Sequence, residues 1–385
     1  MPLLRSLLCA ALLVALIPTA NAAPITPSRD DEVIEVLPAL PGGRAEARRL
    51  RNQLAQRPDD PAVAIAAAKT YLEQSHQLGD PRFAGLAMAA IAGWRDTASA
   101  PDDILLMRAT LQQYLHEFDA SAETLKALLA RAGAPRPQAW LTLATVRRVQ
   151  GRYAESDAAC AEVLRAGAAL HANACAAENA ALRGDWGRAR AAFAGLLADP
   201  RQPATTRAWL TTSVAEMEQR AGRPAAAEAA FRAALALEPD PYTTLDYADF
   251  LIEQKRPAQA LELLKGQARS DAVLLRLAIA GAQARTPSAK ADAAEMRERI
   301  ALANERPDAK VFHGREQAMF ALFVEADAAR ALELAQGNVA QQREPLDLVV
   351  LAQAARASGR ADAIQAAHKL AADIGLVDAR VRALQ

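Results

Sequence analysis

The sequence predicts an all-α protein, an α-solenoid of repeated helical hairpins, and two observations carry that prediction. First, a short turn followed by small and large apolar residues recurs four times. The segments are GRYAESDAAC (151–160), GDWGRARAAF (184–193), GRPAAAEAAF (222–231) and KRPAQALELL (255–264), spaced 33 to 38 residues apart. Small residues (Ser156, Ala189, Ala227, Ala260) hold one offset, and larger ones (Cys160, Phe193, Phe231, Leu264) sit four positions later. Four residues is close to one helical turn, so each pair shares a helix face, and a period of this length marks a stacked array. Second, the chain is 52% hydrophobic but only 4% aromatic, with alanine dominating. Alanine is the best helix former and its small side chain lets helices approach closely. An array of this kind is one elongated body whose units touch their neighbours, so its length does not count globular domains.

The elements follow in order. Residues 1–22 read as an export signal. Arg5 gives the positive start, Leu7 to Ile17 an apolar run too short for a comfortable membrane span, and Pro18 a break. Ala20-Asn21-Ala22 places small residues where a signal peptidase reads, so cleavage is expected before Ala23. Leu8 precedes Cys9 and the apolar run continues past it, which argues against a lipoprotein. Residues 23–43, with four prolines and Gly42-Gly43 around DEVIEV (31–36), read as an extended leader. Helical periodicity takes over in 44–385, the repeat array. Its best repeats span 138–268, flanked by degenerate hairpins over 44–135 and 272–385.

The clearest unit begins at Gln138. Trp140, Leu143 and Ala144 share one face at the spacing of an amphipathic helix, and Gly151 ends it. Tyr153, Ser156, Cys160, Val163 and Leu164 then form the apolar stripe of a second helix. Residues 170–200, 208–239 and 241–268 repeat the plan, the last with lysine at the turn. Residues 61–95 carry a lengthened turn (77–85), and 102–130 place His116 where glycine is usual. Residues 273–300 and 312–338 are looser, and 345–372 recovers Leu348, Leu351, Ala352 and Gly359-Arg360. Eight or nine hairpins are expected.

The order Trp140, Leu143, Ala144, Gly151-Arg152-Tyr153, Ser156, Cys160 resembles the tetratricopeptide repeat. Ala215, Ala227 and Ala234, with the closing Pro239, match the family's small residues and terminal proline. The stretch HGREQAMFALF (313–323), with Asn338 and QREPLD (342–347), is similar to secreted tetratricopeptide proteins of proteobacteria. The resemblance implies a right-handed solenoid whose first helices line a concave groove. Carried over by position, that groove includes Thr145, Arg148, Glu178, Glu216, Gln219, Asp249 and Ile252. A mixed surface of this kind suits an extended peptide or a partner helix.

Other chemistry finds little support. Without Arg5 the chain has 44 basic and 45 acidic residues, with no basic stripe, so nucleic acid is not expected as a partner. Five scattered histidines form no paired metal motif, and neither HExxH nor CxxC occurs. No catalytic elbow, phosphate loop or glycine fingerprint is present, so we expect no enzyme, no catalytic residues and no cofactor. The carboxylates Asp240, Asp246 and Asp249 read as a solvated face. Cys160 and Cys175 are candidates for a disulfide, the alternative being two buried thiols. With His171 they also outline an alternative, a periplasmic small-ligand or metal carrier using a pocket between hairpins. Phe312, Phe320 and Phe323 read as core packing in preference to an exposed patch. The favoured expectation is a non-enzymatic periplasmic scaffold that binds a protein or peptide. After signal cleavage it would not span a membrane, and stacking between chains would make it a homo-oligomer.

Overall fold

The computed structural model describes residue 29 and residues 43–78, 82–305 and 314–384. The export signal, nearly all of the leader, Phe312 and His313 lie outside the described residues. The chain divides into two compact units between Arg49 and Leu50. The first is described only at Arg29 and in the opening turns of one helix, and all that follows concerns the second, Leu50 to Gln385.

Twenty helices and no strand occur among the described residues. A leading helix α1 (Gly43–Gln56) is followed by nine hairpins. They are α2 (Pro61–Leu78) with α3 (Arg82–Ala90), α4 (Asp102–Tyr114) with α5 (Phe118–Leu129), and α6 (Pro137–Val149) with α7 (Tyr153–Arg165). Next come α8 (Ala169–Leu182) with α9 (Trp186–Leu197), α10 (Ala204–Arg220) with α11 (Pro224–Leu237), and α12 (Pro241–Glu253) with α13 (Pro257–Leu264). The last three are α14 (Asp271–Ala284) with α15 (Ala289–Asn304), α16 (Gly314–Phe323) with α17 (Ala328–Val339), and α18 (Pro345–Ala357) with α19 (Ala361–Ile374). A short α20 (Ala379–Arg382) follows. From α2 to α19 each helix packs on the next except at α15 and α16, and first helices of successive hairpins also pack together except α10 and α12, giving an all-α solenoid with an inner row of first helices.

Local chemistry starts and stops these helices. Proline occupies the first turn of α6, α11, α12, α13 and α18, where its missing N–H costs nothing. Asp185, Asp240, Ser270 and Asp327 cap α9, α12, α14 and α17 by accepting a backbone N–H. In eight hairpins the turn contains one residue in the left-handed region: His116, Gly151, Gly184, Gly222, Lys255, Arg285, Ala326 and Gly359, with φ from 54° to 82°. The following N–H reaches back over the helix end, as in Arg152 to the Arg147 carbonyl at 2.8 Å and Arg223 to the Glu218 carbonyl at 2.9 Å. That bond defines a Schellman turn, which satisfies otherwise orphaned carbonyls while reversing the chain.

The repeated small residues are buried where helices cross. Ser156, Ala189, Ala227 and Ala260 have no accessible surface, and Cys160, Phe193, Phe231 and Leu264 are buried beside them. Phe231 stacks on Tyr247 and packs against Phe250, joining α11 to α12. Phe320 is buried and Phe323 is half-buried against the same core. A disulfide joins Cys160 of α7 to Cys175 of α8 and staples two hairpins, and closing a loop of this size is worth about 3 kcal/mol.

The C-terminal end folds back onto the middle of the array. The Arg343 N–H donates to the Val149 carbonyl at 2.7 Å, and the Val377 N–H donates to the Leu182 carbonyl at 2.8 Å. Both acceptors are end carbonyls of first helices, α6 and α8. The segment from Ile374 to Ala379 runs beside three successive hairpin turns. A Cβ built on Gly151 would lie 3.1 Å from Ile374, one on Gly184 2.9 Å from Val377, and one on Gly222 3.1 Å from Ala379. Arg380 then pairs with Glu253 of α12 at 3.2 Å. This strap requires turns without side chains.

Two predictions follow from these contacts. Gly184→Ala must suffer both the left-handed φ of 82° and the collision with Val377, whereas Gly359→Ala, at 68°, meets nothing within 4 Å. Gly184→Ala is therefore expected to cost about 1–3 kcal/mol more in urea unfolding, and Val377→Ala should erase the difference. Glu228 accepts from Arg256 at 2.6 and 2.8 Å, and the guanidinium holds its carboxyl down at about 2. Its stabilising contribution is full above the unfolded value near 4.5 and is lost as the pH falls toward 2. Glu228→Gln should remove about 1 kcal/mol at neutral pH, after discounting for solvent screening, and flatten the unfolding profile between pH 5 and 2.

Candidate functional site: a cleft in the inner row

The inner faces of α6, α8, α10 and the start of α12 enclose a cleft of about 510 Å³, bounded on its far side by Glu344 and Pro345 ahead of α18. Thr145, Arg148, Glu178 and Glu216 line it, so four of the groove residues expected from register come together. Gln219 lies further along α10, where its side-chain amide donates to Glu253 of α12 at 2.7 Å. Asp249 is buried and accepts two bonds from Arg276 of α14, at 3.0 and 2.6 Å. Ile252 belongs to the hydrophobic core. Beyond Glu216, α12 and α14 approach closely enough for their inner faces to pack on each other.

Within the cleft the charged groups are mostly cross-tied. Arg148 of α6 pairs with Glu178 of α8, which also accepts from Ser213 of α10 at 3.0 Å. Glu216 accepts from the Tyr242 hydroxyl at 2.7 Å and faces Arg220 at 3.5 Å. Asp246 sits against Glu216. Burial, and then the negative charge of Glu216, push its carboxyl well above the usual carboxylate range. The carboxylates of Asp246 and Glu216 in turn push the Tyr242 hydroxyl up. Of the three aspartates read as a solvated face, only Asp240 has a helix-capping role, and Asp246 and Asp249 turn inward.

Two aromatic residues that register did not single out define the opening. Trp209 is 38% exposed and Tyr242 is 59% exposed, and both line the cleft. Trp209 stacks against His171 at 5.9 Å between ring centres. Beneath them, the Tyr153 hydroxyl and Arg220 Nε are buried and have no hydrogen-bond partner among the described residues. Tyr153 had been legible only as a core residue of α7, since its hydroxyl reaches the cleft through the gap between α6 and α8.

With Cys160 and Cys175 bonded to each other, neither offers a thiolate to a metal. No group of three or more potential ligands is assembled among the described residues. None of the described helices is long and apolar enough to cross a membrane.

These turns, paired helices and inner row define an all-α solenoid of tetratricopeptide-like hairpins. No family model matches the chain, and no curated protein matches it in sequence. Among solved structures it is similar to a Rap protein complexed with competence and sporulation factor. That match has 11% identity over 89% of this chain and 94% of the other, with a TM-score of 0.48. It is also similar to the TPR domain of P58(IPK), at 12% identity over 85% of this chain and 92% of that one, with a TM-score of 0.20.

The Asp249–Arg276 pair gives a direct test of how the inner row is held. Asp249→Ala strands a buried guanidinium and should cost about 3–5 kcal/mol in denaturant unfolding. Replacing both partners, as Asp249→Leu with Arg276→Met, should recover most of that loss.

Proposed function

We propose that the protein is a non-enzymatic scaffold, exported to the periplasm, that binds a peptide or protein segment in the cleft between α6, α8, α10 and α12. The observation that supports this most directly is the pair of exposed aromatic faces, Trp209 and Tyr242, at the mouth of a cavity with buried, unpartnered polar atoms below. Exposed aromatics beside satisfied rim charges are the usual anchors of a recognition surface. The cleft side chains are largely engaged with one another, which suits shape-based capture and leaves no poised nucleophile and base together. The export reading rests on residues 1–22 and on the disulfide, which persists in an oxidising compartment. A small-molecule ligand is the second reading, favoured by the volume, since about 300–1,000 Å³ is the usual range for such pockets.

A photo-crosslinking residue at position 242, compared with one at exposed Leu302 on α15, tests the proposal in an envelope fraction. Specific adducts from position 242 alone, on a chain whose amino terminus is Ala23, are the expected outcome. Equal labelling from both positions would remove the cleft, and a chain retaining residues 1–22 in the cytoplasm would remove the export reading.

A further inference from the structure

The cleft carries more negative than positive charge. Its walls include Glu178, Glu216, Glu238, Asp240 and Glu344 against Arg148 and Arg220. Arg148 is consumed by Glu178, and Arg220 reaches Glu216 only at 3.5 Å. Arg315 pairs with Glu344 from behind, at 3.2 Å. Glu216, Glu238 and Asp240 therefore carry the surplus, and Glu216 also accepts from the Tyr242 hydroxyl at 2.7 Å.

Two further features bear on the occupant. Trp209 and Tyr242 line the same cleft as this surplus, and an aromatic face attracts a cation through its quadrupole. Deeper in, Tyr153 (3% exposed) and Arg220 (6% exposed) each present a buried polar atom that lacks a partner among the described residues. Both atoms can donate, so both call for acceptors from whatever fills the cleft. A simple amine supplies positive charge and no acceptor. A peptide supplies both.

We propose that the cleft recognises a polypeptide segment bearing a lysine or arginine. The basic side chain lies between Trp209 and Tyr242 above Glu216, and backbone carbonyls accept from the Tyr153 hydroxyl and Arg220 Nε. This deepens the scaffold reading and rests on it. The carboxyl of Asp246, raised by burial and then by the charges of Glu216 and Asp249, agrees with the assignment in its second cause. The capture of free carboxylates or phosphates is disfavoured by the same field.

The test uses the full chain with four end-blocked pentapeptides, Ala-Ala-X-Ala-Ala, where X is arginine, lysine, glutamine or glutamate. Calorimetry gives the affinities and Trp209 fluorescence, with Trp209→Phe as the reference, gives the location. The arginine and lysine peptides should bind at least about tenfold more tightly than the glutamine peptide, with the advantage shrinking as salt is raised. Tyr153→Phe should weaken the arginine peptide about fivefold without lowering the melting temperature, since its hydroxyl has no partner among the described residues. A glutamate peptide that binds as well as the arginine peptide would overturn the cationic assignment and leave the cleft as the binding site. Agmatine matching the arginine peptide, with Tyr153→Phe silent, would replace the peptide with a small cation. No binding by any probe, with no crosslinks from position 242, would overturn the scaffold reading as well.

Discussion

The left-handed residue that closes the first helix in eight of the hairpins sets the geometry on which the rest of the molecule depends. It reverses the chain within three or four residues and returns orphaned carbonyls of the helix end to backbone donors. Repeated at His116, Gly151, Gly184, Gly222, Lys255, Arg285, Ala326 and Gly359, it imposes one hairpin geometry along the array. The buried alanine and serine stripes are then brought into register along the array. A second consequence is steric. Where the turn residue is glycine, the outer edge of the hairpin is bare backbone, and the C-terminal strap can lie against it.

That strap changes what kind of repeat array this is. An open solenoid has only nearest-neighbour contacts, so its stability is a sum of local terms and its ends fray independently. Here Val377 and Arg343 donate to the ends of α8 and α6, and Arg380 ties to α12, linking hairpins far apart in sequence. The contacts fall on three consecutive turns, so the strap acts as a ruler that fixes their spacing. Cys160 and Cys175 fix the spacing of α7 and α8 within the same stretch. The cleft lies between these restraints, with one wall held by the disulfide-linked hairpins and the other closed by Glu344 and Pro345.

The hairpin plan was legible because it is local. Four turns, their small residues and the larger apolar residues one helical turn later are written in the sequence at a fixed offset, and each sits where that offset places it. His116 and Lys255 were harder to place, since a non-glycine residue in the left-handed region carries no signature of its own and is held there by the helices on either side. Inner-face register brought Thr145, Arg148, Glu178 and Glu216 to one cleft. Asp249 and Ile252 share that register but face a neighbouring first helix, α14, whose Arg276 and apolar residues take them up. The strap was illegible for a different reason: a contact between residues 377 and 184 has no local pattern, only the absence of a Cβ at one end.

The charge arrangement in the inner row shows why the cleft stays open where it does. Along α12 and α14, the carboxylate of Asp249 finds a guanidinium of matching reach in Arg276, and the pair closes the gap with two parallel bonds. One step earlier the corresponding carboxylates, Glu216 and Asp246, face each other, with Arg220 at 3.5 Å from Glu216 and the charge of Arg276 also acting on Asp246. Burial, and then the charge of Glu216, drive Asp246 toward its protonated form. The charge left between α10 and α12 is then that of Glu216, and it supplies the field that would hold a cation there. Tyr242 caps Glu216 with a hydroxyl while leaving its ring face in solvent, so the group that satisfies the charge also forms the wall for a ligand. An added positive side chain would do for α10 and α12 what Arg276 already does for α12 and α14, completing the inner row from outside.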